Sequence, residues 1–203
     1  MPGQIKRMAP DRRRRLVEVA SAEFASEGYE HASLNRIIDR CCLSKSSFYY
    51  VLKSKAELFD FVVGELVEEV AQYIAIPDPA EFAGADFWPR IADFFSGLVL
   101  ASGQEAFLTL GRMFYSEAPG AAKTSATNAL ASVRTWVSDV LRVGRRSGAV
   151  RDDLPEGLQY GLVFGILQVF DEWTVEHYRD FAPADLVALA DAQFATIRRV
   201  LEP

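Results

Sequence analysis

The stretch Ser33–Lys55, SLNRIIDRCCLSKSSFYYVLKSK, constrains this chain more than any other. Serines stand at positions 33, 44 and 54, and each can accept a backbone N–H at the start of a helix. After the first, Leu34, Ile37, Ile38 and Cys41 form an inward face at helical spacing. After the second, Phe48 and Leu52 do the same. A break falls at Cys42–Leu43, so the spacing predicts two short helices joined by a tight turn, with another helix starting at Ser54. The second short helix opens on Lys45, Ser46 and Ser47 and carries Tyr49 and Tyr50, which lie about 100° apart around a helix.

That chemistry suits DNA. A recognition helix meets base edges with its N-terminal residues. Small hydroxyls such as Ser46 and Ser47 allow close approach, and Lys45 can reach guanine or phosphate. Tyr49 and Tyr50 suit phosphate oxygens, and Lys55 with the free N–H groups after Ser54 offers a second phosphate site.

The flanking segments agree. Residues 1–9 read as disordered. Pro10 and Asp11 then begin a helix striped by Leu16, Val19, Ala20 and Phe24, and Gly28 stops it. Arg12 to Arg15 surround its start, and at least one is expected to touch phosphate. Residues 1–55 hold 11 Lys+Arg against 6 Asp+Glu, a net of +5, whereas the rest of the chain is −11. A basic head on an acidic body points to a polyanion partner for the head alone. Cys41 and Cys42, the only cysteines, are adjacent. They make neither a disulfide framework nor a zinc spacing, so the expected compartment is a reducing cytoplasm. No apolar run is long enough to span a bilayer, and the charged N-terminal stretch MPGQIKRMAPDRRRR, with no apolar segment and cleavage site after it, is not expected to be a secretory signal.

Three groups of residues together resemble the N-terminal domain of the TetR family of bacterial transcriptional regulators. They are Ser33-Leu34-x-x-Ile37, Leu43-Ser44-Lys45-Ser46-Ser47-Phe48-Tyr49 and Ser54-Lys55-x-x-Leu58. The likeness runs from about Arg13 to Phe61. It implies a homodimer with a DNA-binding head and a helical body that takes a small ligand, and by position it makes Ser33, Lys45, Ser46, Ser47, Tyr49, Tyr50 and Lys55 the DNA contacts. Cys41-Cys42 departs from the Ala-Gly usual in the family. A non-glycine residue at a left-handed turn position costs roughly 1 kcal/mol. Ile37-Ile38 stands for the usual Ile-Ala, and Leu52 for an aromatic residue.

The expected fold is all-α, with a three-helix head (1–54) and a helical ligand-binding and dimerisation body (55–203). One helix should run from Ser54 through Leu58, Phe61, Val62, Leu66 and Val70 to Ile74, ended by Ile76-Pro77-Asp78-Pro79. Further helices are expected near 85–101, 104–116, 122–146, 155–178 and 183–201. In the fifth of these six, Gly157, Gly161 and Gly165 share a face with Phe164 and Gln168, and the opposite side carries Leu162, Val163, Ile166, Phe170 and Trp173. The resemblance makes the last two helices the dimer interface, through Gly157, Gly161, Phe164, Gly165, Gln168, Leu186, Phe194 and Ile197. The packing of the glycine face inside one chain is the alternative.

For the body, the resemblance implies a pocket for a small hydrophobic or aromatic effector. Its candidate lining is Phe94, Phe107, Arg112, Phe114, Tyr115, Trp136, Phe170, Trp173 and His177. An ordinary aromatic core is the bland reading of the same residues. No catalytic set, metal cluster or phosphate loop stands out, and no cofactor is implied. The expected function is a ligand-responsive DNA-binding regulator, a repressor rather than an enzyme, with operator DNA, effector and a second copy as partners. A helical binding module without specific DNA binding, or a small helical enzyme, remains open.

Overall fold

The computed structural model describes residues 8–102, 105–115, 118–122 and 124–203. All regular structure among them is helical, as the sequence predicts. The chain divides into two compact units, Met1–Ala71 with Thr109–Ala129, and Gln72–Leu108 with Leu130–Pro203.

In the first unit, α1 (Pro10–His31) packs on α2 (Leu34–Arg40) and α4 (Lys55–Val70), and α3 (Lys45–Val51) follows α2 across the turn. Gly28 adopts φ 71° inside α1, a left-handed break that glycine takes without a Cβ clash. Leu16, Val19, Phe24, Ile37, Ile38, Phe48, Leu52, Leu58, Phe59 and Val62 are buried and form the core. Phe24, Tyr29 and Phe59 meet edge to face or stacked, with centroids 5.0–6.3 Å apart. Cys41, expected inward, is only half-buried.

The expectation that α4 runs to Ile74 is corrected. The helix ends at Val70, followed by an exposed turn. Ile76 precedes Pro77, which disfavours helical backbone there, and Ile74 finds its apolar neighbours in a cleft of the second unit. On the other side of α4, the Asp60 carboxylate accepts the Ser125 N–H at 2.6 Å and so caps the start of α7 (Thr124–Arg146).

In the second unit, α5 (Phe87–Ser102) and α8 (Glu156–His177) both pack on α9 (Pro183–Leu201). α6 (Glu105–Tyr115) and α7 each contribute residues to both units. The core is Phe82, Phe87, Trp88, Val140, Leu141, Val143, Val150, Val163, Ile197 and Leu201. Gly144 is required there. A Cβ on it would lie 2.5 Å from Val150 Cγ2 and 2.7 Å from Phe87 Cζ. Arg145 holds the α7–α8 connection by donating to the carbonyls of Leu154 and Asp152 and to Gln159, which is itself buried and donates to Arg151 O. Ile166 and Phe170 pack against the core beside Val163, but Leu162 and Trp173 are exposed.

Candidate DNA-binding head and effector cleft

Local capping sets the geometry of the head. Ser33, Ser44 and Ser54 are the N-caps of α2, α3 and α4, and their hydroxyls accept the N–H groups of Arg36, Ser47 and Glu57. The turn between α2 and α3 is a Schellman closure. Cys42 N–H donates to Asp39 O and Leu43 N–H to Ile38 O, at 3.0 and 3.1 Å. Such a closure needs positive φ at its central residue, and Cys42 supplies it at 52°. The same closure ends α7, where Gly148 N–H donates to Arg145 O and Ala149 N–H to Gly144 O, with Gly148 at φ 73°. The chain therefore builds one turn twice, once with glycine and once with cysteine.

This turn points α3 outward with Phe48 anchored beneath it. Lys45, Ser46 and Ser47 are exposed, as are Tyr49 and Tyr50, at 51% and 69%. Ser44 Oγ lies 3.0 Å from Ser46 Oγ and donates to Ser47 Oγ at 2.7 Å, so the hydroxyls form a connected cluster. Tyr49 also meets Phe48 edge to face. These five residues share one short helix surface.

The other proposed contacts are more committed. Lys55 Nζ donates to Glu30 O at 2.8 Å and lies 5.0 Å from the Tyr29 ring centroid, leaving two donors. Glu57 accepts the Lys53 N–H, which places an acid beside the start of α4. Ser33 is half-buried. Of the four arginines, Arg13 makes a two-point pair with Glu65, Arg14 pairs with Asp11, and Arg15 pairs with Glu18. Only Arg12 has no ion-pair partner among the described residues.

Spacing gave no hint of Glu23. It is 3% exposed, and its Oε1 accepts both Ser33 N–H and Arg36 Nη1, each at 2.9 Å. Burial of a carboxylate is strongly unfavourable unless it is paired, and these donors supply the pairing. Its partners are 10 and 13 residues away, beyond the reach of helical periodicity.

Residues 16–62 match the family model described as bacterial regulatory proteins, tetR family. The head belongs to the TetR family. It is the DNA-binding domain of a transcriptional regulator, and α2–turn–α3 is its helix-turn-helix. No curated protein sequence matches the chain. Among solved structures it resembles the transcriptional regulator FadR of Bacillus subtilis in complex with stearoyl-CoA. That match has TM-score 0.69 and 17% identity, and covers 92% of this chain and 98% of that one. It also resembles NalD of Pseudomonas aeruginosa, the secondary repressor of the MexAB-OprM multidrug efflux pump, with TM-score 0.68, 17% identity and coverage of 95% and 96%. A TetR-family regulator from Pseudomonas syringae pv. tomato gives TM-score 0.65, 20% identity and coverage of 96% and 99%. The helical body thus shares its fold with these regulators.

Among the described residues of the second unit, the body residues proposed for a ligand are spread over several places. A cleft of about 450 Å³ in the second unit is lined by Tyr73, Ile74, Pro77, Phe82, Arg90, Asp93, Phe94 and Leu98, together with Ala75, Glu81 and Gly97. Phe94 is the one proposed residue among the described residues that line it. Trp136 lies 5.0 Å from the Phe94 ring and lines a second, shallower hollow with Pro79 and Thr135. Its indole N–H donates to Pro77 O. Phe170 packs on the core, and Trp173 and His177 stack on each other at 4.3 Å at the end of α8. Phe107 is half-buried in α6; Arg112 and Phe114 fall in the first unit, and the side chain of Tyr115 lies outside the described residues. Tyr73, Arg90 and Asp93 carry no periodic signal that would single them out.

The proposed dimer residues divide as well. Gly157, Gly161 and Gly165 are exposed, and among the described residues a Cβ on each would meet nothing within 4 Å, so no backbone among them approaches these glycines. Gln168 is exposed, and Phe164 and Leu186 are half-buried. Ile197 belongs to the chain's own core, and Phe194 packs against it, 6.3 Å from Trp88. These two are turned inward because α9 uses one stripe to cover α5. No helix among the described residues is long and apolar enough to cross a membrane, and none of their acidic, histidine or cysteine groups form a metal-binding cluster.

Proposed function

We propose that the chain is a homodimeric repressor, released from its operator by a small hydrophobic or aromatic effector. The observation that carries this reading is the α3 surface. Lys45, Ser46, Ser47, Tyr49 and Tyr50 stand exposed on a helix whose opposite side is fixed by Phe48. In this reading Lys45, Ser46 and Ser47 read bases, while Tyr49, Tyr50, Ser33 and Lys55 grip phosphates.

Dimerisation follows from geometry and from an open surface. Two heads reach successive major grooves only when held about 34–36 Å apart. On α8, Leu158, Leu162, Val169 and Trp173 are 41–64% exposed around the glycines, an apolar strip suited to a second copy. The effector would occupy the Phe94 cleft, whose volume falls in the range of small-molecule sites, with Arg90 and Asp93 as orienting groups. FadR, similar in fold, is seen with an acyl-CoA, which supports an apolar ligand. A ligand that favours one arrangement of the body over another shifts the population of DNA-competent dimers. The site of action is the cytoplasm, and the reading assigns no catalysis.

A mobility-shift assay on the DNA upstream of the chain's own gene, at two salt concentrations, tests this. The expected result is a sequence-selective complex that survives physiological salt. Equal binding to all sequences at low salt, and none at physiological salt, would overturn it.

A further inference from the structure

We propose that Arg36 is a DNA phosphate contact and that buried Glu23 is the residue that positions it; this rests on the regulator reading above. Arg36 was singled out by no motif. Its side chain is 52% exposed, yet its Nη1 is held at 2.9 Å by a carboxylate that is 3% exposed. A guanidinium carries five N–H donors in a planar fork, and Glu23 engages it through Nη1 alone. With the side chain 52% exposed, the remaining donors are open to a second partner while Glu23 restrains the guanidinium.

The second tie is what makes the arrangement rigid. The Glu23 oxygen that holds Arg36 also accepts the N–H of Ser33, the N-cap of α2, and the Ser33 hydroxyl accepts the N–H of Arg36 itself. Arg36 is therefore fixed at its backbone and at its side-chain tip by one three-residue cluster. An exposed arginine normally loses much rotamer freedom on binding, and here most of that loss has already occurred on folding. On its outer side α2 also presents Arg40, one turn further along. In a helix-turn-helix the first helix crosses the sugar–phosphate backbone while the second enters the groove, so this side of α2 meets phosphates rather than bases.

The test uses the full-length protein and the tightest duplex recovered from a random-sequence library. Each phosphate in that duplex is replaced in turn by an uncharged methylphosphonate, and affinities are measured for wild type, Arg36→Ala and Glu23→Gln. For wild type, one phosphate in each half-site should cost roughly tenfold or more in affinity when neutralised. In Arg36→Ala that phosphate should lose its effect while the others keep theirs. Glu23→Gln still offers an oxygen to Ser33 N–H but no charge to Arg36, and should reduce the effect at the same phosphate at least threefold. Arg36→Ala losing affinity evenly at every phosphate would show a merely structural role and overturn the proposal. An unchanged or stronger effect in Glu23→Gln would remove Glu23 as the positioning residue. A wild-type protein that selects no duplex overturns the regulator reading and this proposal with it.

Discussion

Cys42→Gly should stabilise the protein, although it removes a side chain. Cys42 sits at φ 52° as the central residue of the α2–α3 turn. The left-handed conformation costs a non-glycine residue roughly 1–2 kcal/mol. Glycine gives back part of this, about 0.5–1 kcal/mol, through its greater freedom in the unfolded chain. Cys42 is exposed, so its side chain contributes no burial to offset the gain. The net is about 0.5–1 kcal/mol in favour of glycine, a rise in melting temperature of about 1–4 °C for a chain of this size. Gly148, in the same closure at the end of α7, shows which residue the turn prefers. Urea unfolding in reducing buffer, followed by circular dichroism, measures the effect. Cys42→Ala is the control, because it keeps the Cβ and should stay within about 0.5 kcal/mol of wild type. A lower midpoint for Cys42→Gly, or an equal gain for Cys42→Ala, would refute the strain argument.

Gly144→Ala should destabilise by about 1–2 kcal/mol, since overpacking against Phe87 and Val150 outweighs the roughly 1 kcal/mol gain in helix propensity; a thermal melt checks it. Burial holds the half-buried Cys41 thiol above its ordinary pKa, so below that value it stays protonated and unreactive. Iodoacetamide near pH 8 should therefore label exposed Cys42 first, and equal labelling by peptide mass spectrometry would contradict this. Tyr49→Phe and Lys55→Ala should weaken binding to all sequences by a similar factor, whereas Lys45→Ala or Ser47→Ala should change base preference in a selection experiment. Unchanged affinity in all four would place the wrong helix in the groove.

Much of the head was legible because its determinants are local. Ser33, Ser44 and Ser54 announce helix starts through hydrogen bonds that span three residues. Phe48 and Leu52 announce the buried side of α3 by spacing alone. What spacing could not show are partners distant in sequence. Glu23 looks like any surface acid until the fold brings Arg36 and Ser33 to it. Arg13 looks like a phosphate contact until Glu65, 52 residues away, pairs with it. The body was legible as helices but not as a site. Ile74 fits the stripe of α4 yet lines a cleft with Tyr73 and Phe94, and Trp173 reads as core yet stands exposed beside His177. An apolar residue reports only that something covers it, not whether that is core, ligand or a second chain.

In the proposed regulator, two copies of α3 act together from a symmetric dimer. Native mass spectrometry of the complex with a library-selected duplex, combined with the selected sequence, tests it most directly. The expected result is two protomers on an inverted repeat whose half-sites lie about one helical turn apart, with binding lost when five base pairs are inserted between them. One protomer on a single asymmetric site, indifferent to the insertion, would contradict it.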